Sequence, residues 1–203
     1  MKSMTPILLS VCFLLSICLL QQPAGAALSP VSGSTSDPVA YGTNINNVID
    51  GVIDFDSNLA LGTAGYGVWG GPYTVRFDLG ASFNLASFNL WNNAGSIEMD
   101  GEGVHRFELM FFDDAQSQVG ETFSSYADDV LNEQNFSIYA VGVRYVDFVI
   151  IDTHSTGTGV NSERGYAHFY EVSFDQVPIP STISLLSIGL VIFAGMKRKN
   201  AQT

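Results

Sequence analysis

A chain of 203 residues with 46% hydrophobic and only 14% charged content has room for one domain plus processing segments and is too apolar to be disordered. Its charge is lopsided: all 20 acidic residues lie between Asp37 and Asp175, a stretch whose only basic residues are Arg76, Arg106, Arg144 and Arg164, so it carries −16 and no lysine. Such a surface repels phosphate backbones and anionic headgroups, which excludes nucleic acid as a partner and leaves cations and neutral ligands.

Residues 1–26 read as a secretory signal: Lys2 near the start, an apolar run from Ile7 to Leu20, then Ala24-Gly25-Ala26 as an Ala-x-Ala cleavage site. The mature chain is expected to begin near Ala27. Cys12 and Cys18 both fall inside the signal, so the exported protein is expected to hold no disulfide and no thiolate metal ligand. Ile17, ahead of Cys18, is not the small residue that precedes a lipidated cysteine. Residues 27–40 are rich in Ser, Pro and Gly and predict a flexible lead-in.

The domain is expected over residues 41–176. Near its start runs an acidic loop, Asn46 to Asn58, in which Asp50, Asp54, Asp56 and Asn58 offer side-chain oxygens at alternating spacing and Gly51 permits the backbone to turn. Those residue types suit Ca²⁺, a hard cation that takes six to eight oxygens. The loop is not an EF-hand: counted from Asp50, the sixth and twelfth positions hold Phe55 and Leu61 in place of Gly and Glu. The other reading of the same residues is an Asx-rich turn whose side chains bond their own backbone. Gly62 to Pro72 is glycine-dense and carries Tyr66 and Trp69. It serves either as a loop that approaches a ligand closely or as a connection with Trp69 tucked against the core.

Strands follow. Tyr73 to Leu79 alternates, with Tyr73, Val75, Phe77 and Leu79 on one side, the period-two pattern of a half-buried strand. Leu85 to Trp91, Phe107 to Phe112, Asn135 to Tyr139, Tyr145 to Ile151 and Tyr166 to Phe174 extend the series, with one helical turn expected around Ser124 to Leu131. Short strands separated by Gly, Asp and Asn predict an antiparallel β-sandwich, and about 150 residues are ample for a two-sheet core.

In order and spacing these segments resemble a coagulation-factor type C, or discoidin-like, domain, the galactose-binding-like jelly roll. The residues that carry the likeness are Asn47-Val48-Ile49-Asp50-Gly51, Val75-Arg76-Phe77-Asp78-Leu79-Gly80, Phe88-Asn89-Leu90-Trp91-Asn92, Phe107 to Asp114, Val143 to Ile150 and Tyr166 to Phe174. The resemblance implies an all-β jelly-roll sandwich with a structural Ca²⁺ held by Asp50 and Glu171. Phe55 stands where the family has Thr or Ser, so Asp54 or Asp56 is expected to substitute as a ligand. The resemblance also implies sugar-binding loops at one end of the barrel, with Trp69, Trp91, Asn92, His105, His154, Arg164 and Tyr166 as candidates. An aromatic ring stacks on a sugar face while side-chain donors bridge adjacent hydroxyls. Each has a structural explanation as well: Trp91 closes a strand, His105 precedes one, and Arg164 sits beside Glu163.

At the C-terminus Val177-Pro178-Ile179-Pro180-Ser181-Thr182 is followed by apolar Ile183 to Met196 and then Lys197-Arg198-Lys199. This resembles a PEP-CTERM sorting signal, with Val-Pro-Ile-Pro in place of Pro-Glu-Pro. About 14 apolar residues fall short of the ~20 of a comfortable bilayer span, and the basic cluster would stay cytoplasmic. Residues 177–203 are therefore expected to form a short transmembrane helix that tethers the protein to the inner membrane transiently. The resemblance implies an exosortase-type processing enzyme, cleavage near Pro178-Ile179-Pro180, and delivery to the cell surface or extracellular polysaccharide matrix of a Gram-negative-type bacterium. The other reading is a permanent single-pass anchor.

The best acid–base group is Glu98, Asp100 and Glu102 with His105 nearby, since paired carboxylates cleave glycosidic bonds when they flank them. Three acids at alternate positions equally make a solvated edge. No nucleophile elbow, His-Glu-x-x-His or phosphate loop is present, so the domain is expected to be non-enzymatic and to bind carbohydrate. The alternatives are a structural surface protein without a specific ligand and a glycosidase using Asp100 or Glu102.

Overall fold

A computed structural model of the protein describes residues 25–40, 43–53, 58–62, 71–93, 102–154 and 166–177. The described residues contain β1 (Ala27–Leu28), β2 (Ser32–Ser34), β3 (Leu59–Leu61), β4 (Tyr73–Asn92), β5 (Val104–Phe112), β6 (Phe123–Tyr126), β7 (Gln134–Thr153) and β8 (Ala167–Gln176), with one 3-10 turn at Ile45–Val48. All the strand pairs are antiparallel, and Ala26–Val177 form one compact unit. The signal sequence, Trp69, Asp54, Asp56, Glu98, Asp100, Arg164 and residues 178–203, among them Pro178, Ile179, Pro180, Lys197, Arg198 and Lys199, lie outside the described residues.

The two long strands, β4 and β7, belong to both layers of a β-sandwich. The first half of β4 pairs with the second half of β7, Tyr73 opposite Ile150 and Asp78 opposite Tyr145. Its second half pairs with the first half of β7, Leu90 opposite Gln134, and on its other edge with β8. The register slips between Asp78 and Ser87, where the paired strands bend from one layer into the other. β5 and β6 extend the first layer from β7, and β2 pairs with β4 on its far edge; β8 carries β1 and β3 at the edges of the second.

Alternation decides which side chains meet between the layers. Val75, Phe77 and Leu79 face inward from the first half of β4, and Leu85, Phe88 and Leu90 from the second. The Phe88 ring lies 5.7 Å from Phe107 and 5.3 Å from Phe148 in the opposite layer, and 5.4 Å from Phe174 beside it. Phe148 meets Phe169 edge-on at 5.4 Å. Such tilted contacts suit the aromatic quadrupole, and each buried Phe contributes roughly 1.5–3 kcal/mol by leaving water. Val48, on the 3-10 turn, closes the core.

Two expectations change. The lead-in, residues 27–40, is woven into the sheets: Leu28 pairs with Phe174, Gly33 with Phe77, and Val39 bridges to Leu61. Small side chains let the backbone dock against a sheet edge. The turn expected around Ser124 to Leu131 is instead led by β6, where Ser125 pairs with Phe107 and exposure alternates residue by residue. Backbone pairing to β5 outweighs the weak helical propensity of Ser and Tyr.

Candidate functional site

The strongest grouping of polar and aromatic side chains forms on the outer face of the first layer, where β5 begins. Regular alternation would put His105 and Arg106 on opposite faces. The register with β7 breaks here: Val104 pairs with Thr153, Arg106 with Asp152 and Phe107 with Ile150, so His105 is an extra residue on β5 and Ile151 one on β7. These bulges leave Val104 and Phe107 in the core while His105 and Arg106 both reach Asp152.

Asp152 organises the group. His105 Nδ1 donates to Asp152 Oδ1 at 2.8 Å, the Arg106 backbone N–H donates to the same oxygen at 3.0 Å, and Arg106 Nε reaches Oδ2 at 3.3 Å. An ionised carboxylate only accepts, so the proton sits on Nδ1, and His105 Nε2 is an acceptor in the neutral ring and a donor in the charged one. The His105 side chain is 23% exposed and that of Arg106 46%. The His154 ring lies 4.9 Å from the His105 ring, and the Tyr126 ring 5.2 Å from it. Tyr126 pairs across β6 with Arg106 and is 62% exposed. Arg106 offsets the charge of Asp152.

The other described arginines are committed elsewhere: Arg76 grips Asp147 through two bonds of 2.6 and 2.7 Å, and Arg144 joins Asp78 and Asp114. The Arg144 guanidinium holds the Asp114 carboxyl below its ordinary value.

The sequence candidates divide by burial. His105 and His154 come together. Asn92 is fully buried, its Nδ2 donating to Val104 O at 2.7 Å and Asp128 O at 3.1 Å, while its Oδ1 accepts from Val104 N–H at 2.8 Å. Tyr166 is buried with Ala40 and Ala60. Trp91 is half-buried on β4, opposite Glu171. Glu102 is fully buried, its carboxylate 3.3 Å from His168 Nδ1. Reading by residue type misses Tyr126, Arg106 and Asp152. The one available signal was an Arg next to an already chosen His.

At the acidic loop Gly51 takes φ +79, the left-handed conformation that glycine enters without strain. Asp50 Oδ1 accepts from Val52 N–H at 2.8 Å, an Asx turn. The backbone N–H groups of Gly51 and Asp50 also bond the Glu171 carboxylate. Burial pushes the Glu171 pKa up to about 7, with the Gly51 bond opposing and the Asp50 charge adding to the rise. Glu171 Oε2 is buried without a hydrogen-bond partner. Two acids drawn together and one orphaned oxygen fit a hard cation. Among the described residues no three His, Cys, Asp or Glu converge on a common metal position.

No family model matches the sequence, and no curated protein matches it. Solved structures do match in fold. The lectin domain of lectinolysin complexed with Lewis B antigen aligns over 72% of this chain and 92% of its own, at 18% identity and TM-score 0.51. The family 32 carbohydrate-binding module of NanJ from C. perfringens, in complex with galactose, aligns over 73% and 98%, at 11% identity and TM-score 0.53. The C-terminal domain of a chitobiase from Bacteroides fragilis aligns over 76% and 99%, at 16% identity and TM-score 0.56. The domain is thus an all-β, galactose-binding-like β-sandwich, and the structures it is similar to include carbohydrate-binding modules.

Proposed function

We propose that this protein is an exported, non-catalytic carbohydrate-binding protein that reads a neutral glycan through the face formed by His105, Arg106, Tyr126, Asp152 and His154. The observation that carries the reading is the double bulge, which presents two consecutive donor residues around one carboxylate beside an exposed tyrosine ring. Tyr126 supplies an apolar surface for a sugar ring, Arg106 supplies donors for its hydroxyls, and His105 Nε2 accepts from a hydroxyl in the neutral ring and donates to one in the charged ring. The −16 domain would repel a polyanion, which favours a neutral ligand.

The commitment of buried Glu102 to His168 supports a non-catalytic role, because a carboxylate held in the interior cannot flank a glycosidic bond. Asp50 and Glu171, with Asp54 or Asp56, would hold a structural Ca²⁺, which would neutralise these acids and fasten the loop to β8. The Val-Pro-Ile-Pro motif, apolar segment and basic cluster support sorting by an exosortase-type enzyme, after transient insertion in the inner membrane, to the cell surface or polysaccharide matrix.

A glycan array probed with the full chain, followed by titration with galactose and fucose, tests the binding. Retention that Tyr126→Ala lowers about tenfold or more, with unfolding unchanged, is the expected result. No retention of any neutral glycan would leave a structural surface protein. For the sorting reading, intact-mass measurement of the exported protein should find the chain ending near Pro178-Ile179-Pro180; an intact tail at Thr203 would make the segment a permanent anchor.

A further inference from the structure

Just before His105 the chain is held at four points. Glu102 O accepts from His168 N–H at 2.8 Å and Gly103 O from His154 N–H at 3.0 Å. Val104 exchanges two bonds with the Asn92 side chain, at 2.8 and 2.7 Å. Gly103 presses so closely on the end of β4 that a Cβ would stand 1.9 Å from Asn93 O. Three residues thus tie the starts of β5 and β8 to the ends of β4 and β7, and the last of these ends carries His154.

The side chains add a second tie. The Glu102 carboxylate and His168 Nδ1 are 3.3 Å apart, with the two side chains 1% and 4% exposed. An acid–base pair so deep costs desolvation that two apolar side chains would avoid, so it is a poor device for stability alone. It adds an electrostatic contact between the two residues whose backbones are already joined by the His168 N–H bond to Glu102 O, and the next carbonyl along holds His154.

We propose that Glu102 and His168 are positioning residues for the sugar-binding face, setting the relative orientation of the His105 and His154 rings through the backbone of residues 102–104. The proposal rests on the reading of that face given above, but its primary readout requires no sugar. The chain has only three histidines, His105, His154 and His168, so their imidazole C–H signals in NMR report on the cluster directly.

Wild type, Glu102→Gln and His168→Gln, each as the full chain, are compared in two ways. The first is the inter-ring Overhauser contact and titration midpoints of His105 and His154; the second is titration with galactose and with fucose. Both variants should weaken the ring contact and move both midpoints, and affinity for whichever sugar wild type binds should fall at least about fivefold, as misplaced binding groups do. The double variant should cost no more than either single change, because the two residues act as one unit.

If the ring contact and both midpoints coincide with wild type in both variants, the proposal is overturned, even if melting temperature falls. If wild type binds neither sugar, the neutral-sugar reading is what fails, and the imidazole signals still decide the positioning role. Should Glu102→Gln not fold, Glu102→Asp, which keeps the charge and withdraws it by one methylene, is judged by the same signals.

Discussion

Glu171 ties the acidic loop to β8, and its proton makes that tie measurable. Burial, against the Gly51 backbone bond and with the Asp50 charge, raises its pKa from the ordinary 4.5 to about 7. The folded protein therefore holds a proton that the unfolded chain releases. The associated stability is fully present below about pH 4.5 and is lost as pH rises through about 7. At about 1.4 kcal/mol per pKa unit the ceiling is about 3 kcal/mol. An expected loss of about 1–3 kcal/mol corresponds to roughly 2–12 °C in Tm for a domain of this size. The assay is thermal unfolding in EDTA of wild type and Glu171→Gln across about pH 4.5 to 7.5. The wild-type Tm should fall relative to the variant as pH rises. Saturating Ca²⁺ should reverse the trend, because the ion takes only the carboxylate and competes with the proton. A difference between wild type and Glu171→Gln that does not vary with pH in EDTA refutes the burial argument. A slope unmoved by Ca²⁺ refutes the cation site.

Asp50→Asn should abolish the saturable rise in Tm that Ca²⁺ gives wild type; a rise that survives would put any bound ion elsewhere. Gly103→Ala forces a methyl into the Asn93 carbonyl, so it should cost about 1–3 kcal/mol and lower Tm by several degrees in a differential scan. Phe88→Ala removes the ring that touches Phe107, Phe136, Phe148 and Phe174; denaturant unfolding should show a loss of about 3–5 kcal/mol with little change in m-value.

The strongly alternating strands were legible because a half-buried strand has no other way to satisfy both of its faces. Tyr73 to Leu79 and Tyr145 to Ile151 lie within β4 and β7 and pair with each other, and the first buries the side expected. The edges were not legible: β1, β2 and β3 are two or three residues long, too short for any period, and exist because a neighbouring strand offers them a backbone to pair with. Composition there records only that Ser and Gly are small.

The candidate face failed to appear whole for a different reason. Period two holds only while both strands advance together, and a bulge advances one alone. On β8, Trp91 pairs with Glu171 and Asn92 with Phe169, leaving Tyr170 over, so Phe169 and Val172 both enter the core although three positions apart. On β5 the same device turns His105 and Arg106 to one side, whereas strict alternation would separate them and set Arg106 aside. Residue type has a matching blind spot: Asn92 at the end of β4 has the composition of a sugar donor, yet its amide is spent on the backbone of Val104 and Asp128. An amide that satisfies the interior and one that waits for a hydroxyl differ only in burial, which long-range packing decides. His154, nearly fifty residues from His105 in sequence, joins it for the same reason: the end of β7 is bonded to Gly103. The sequence pattern thus locates the layers, while the irregularities between them determine which polar side chains share a face.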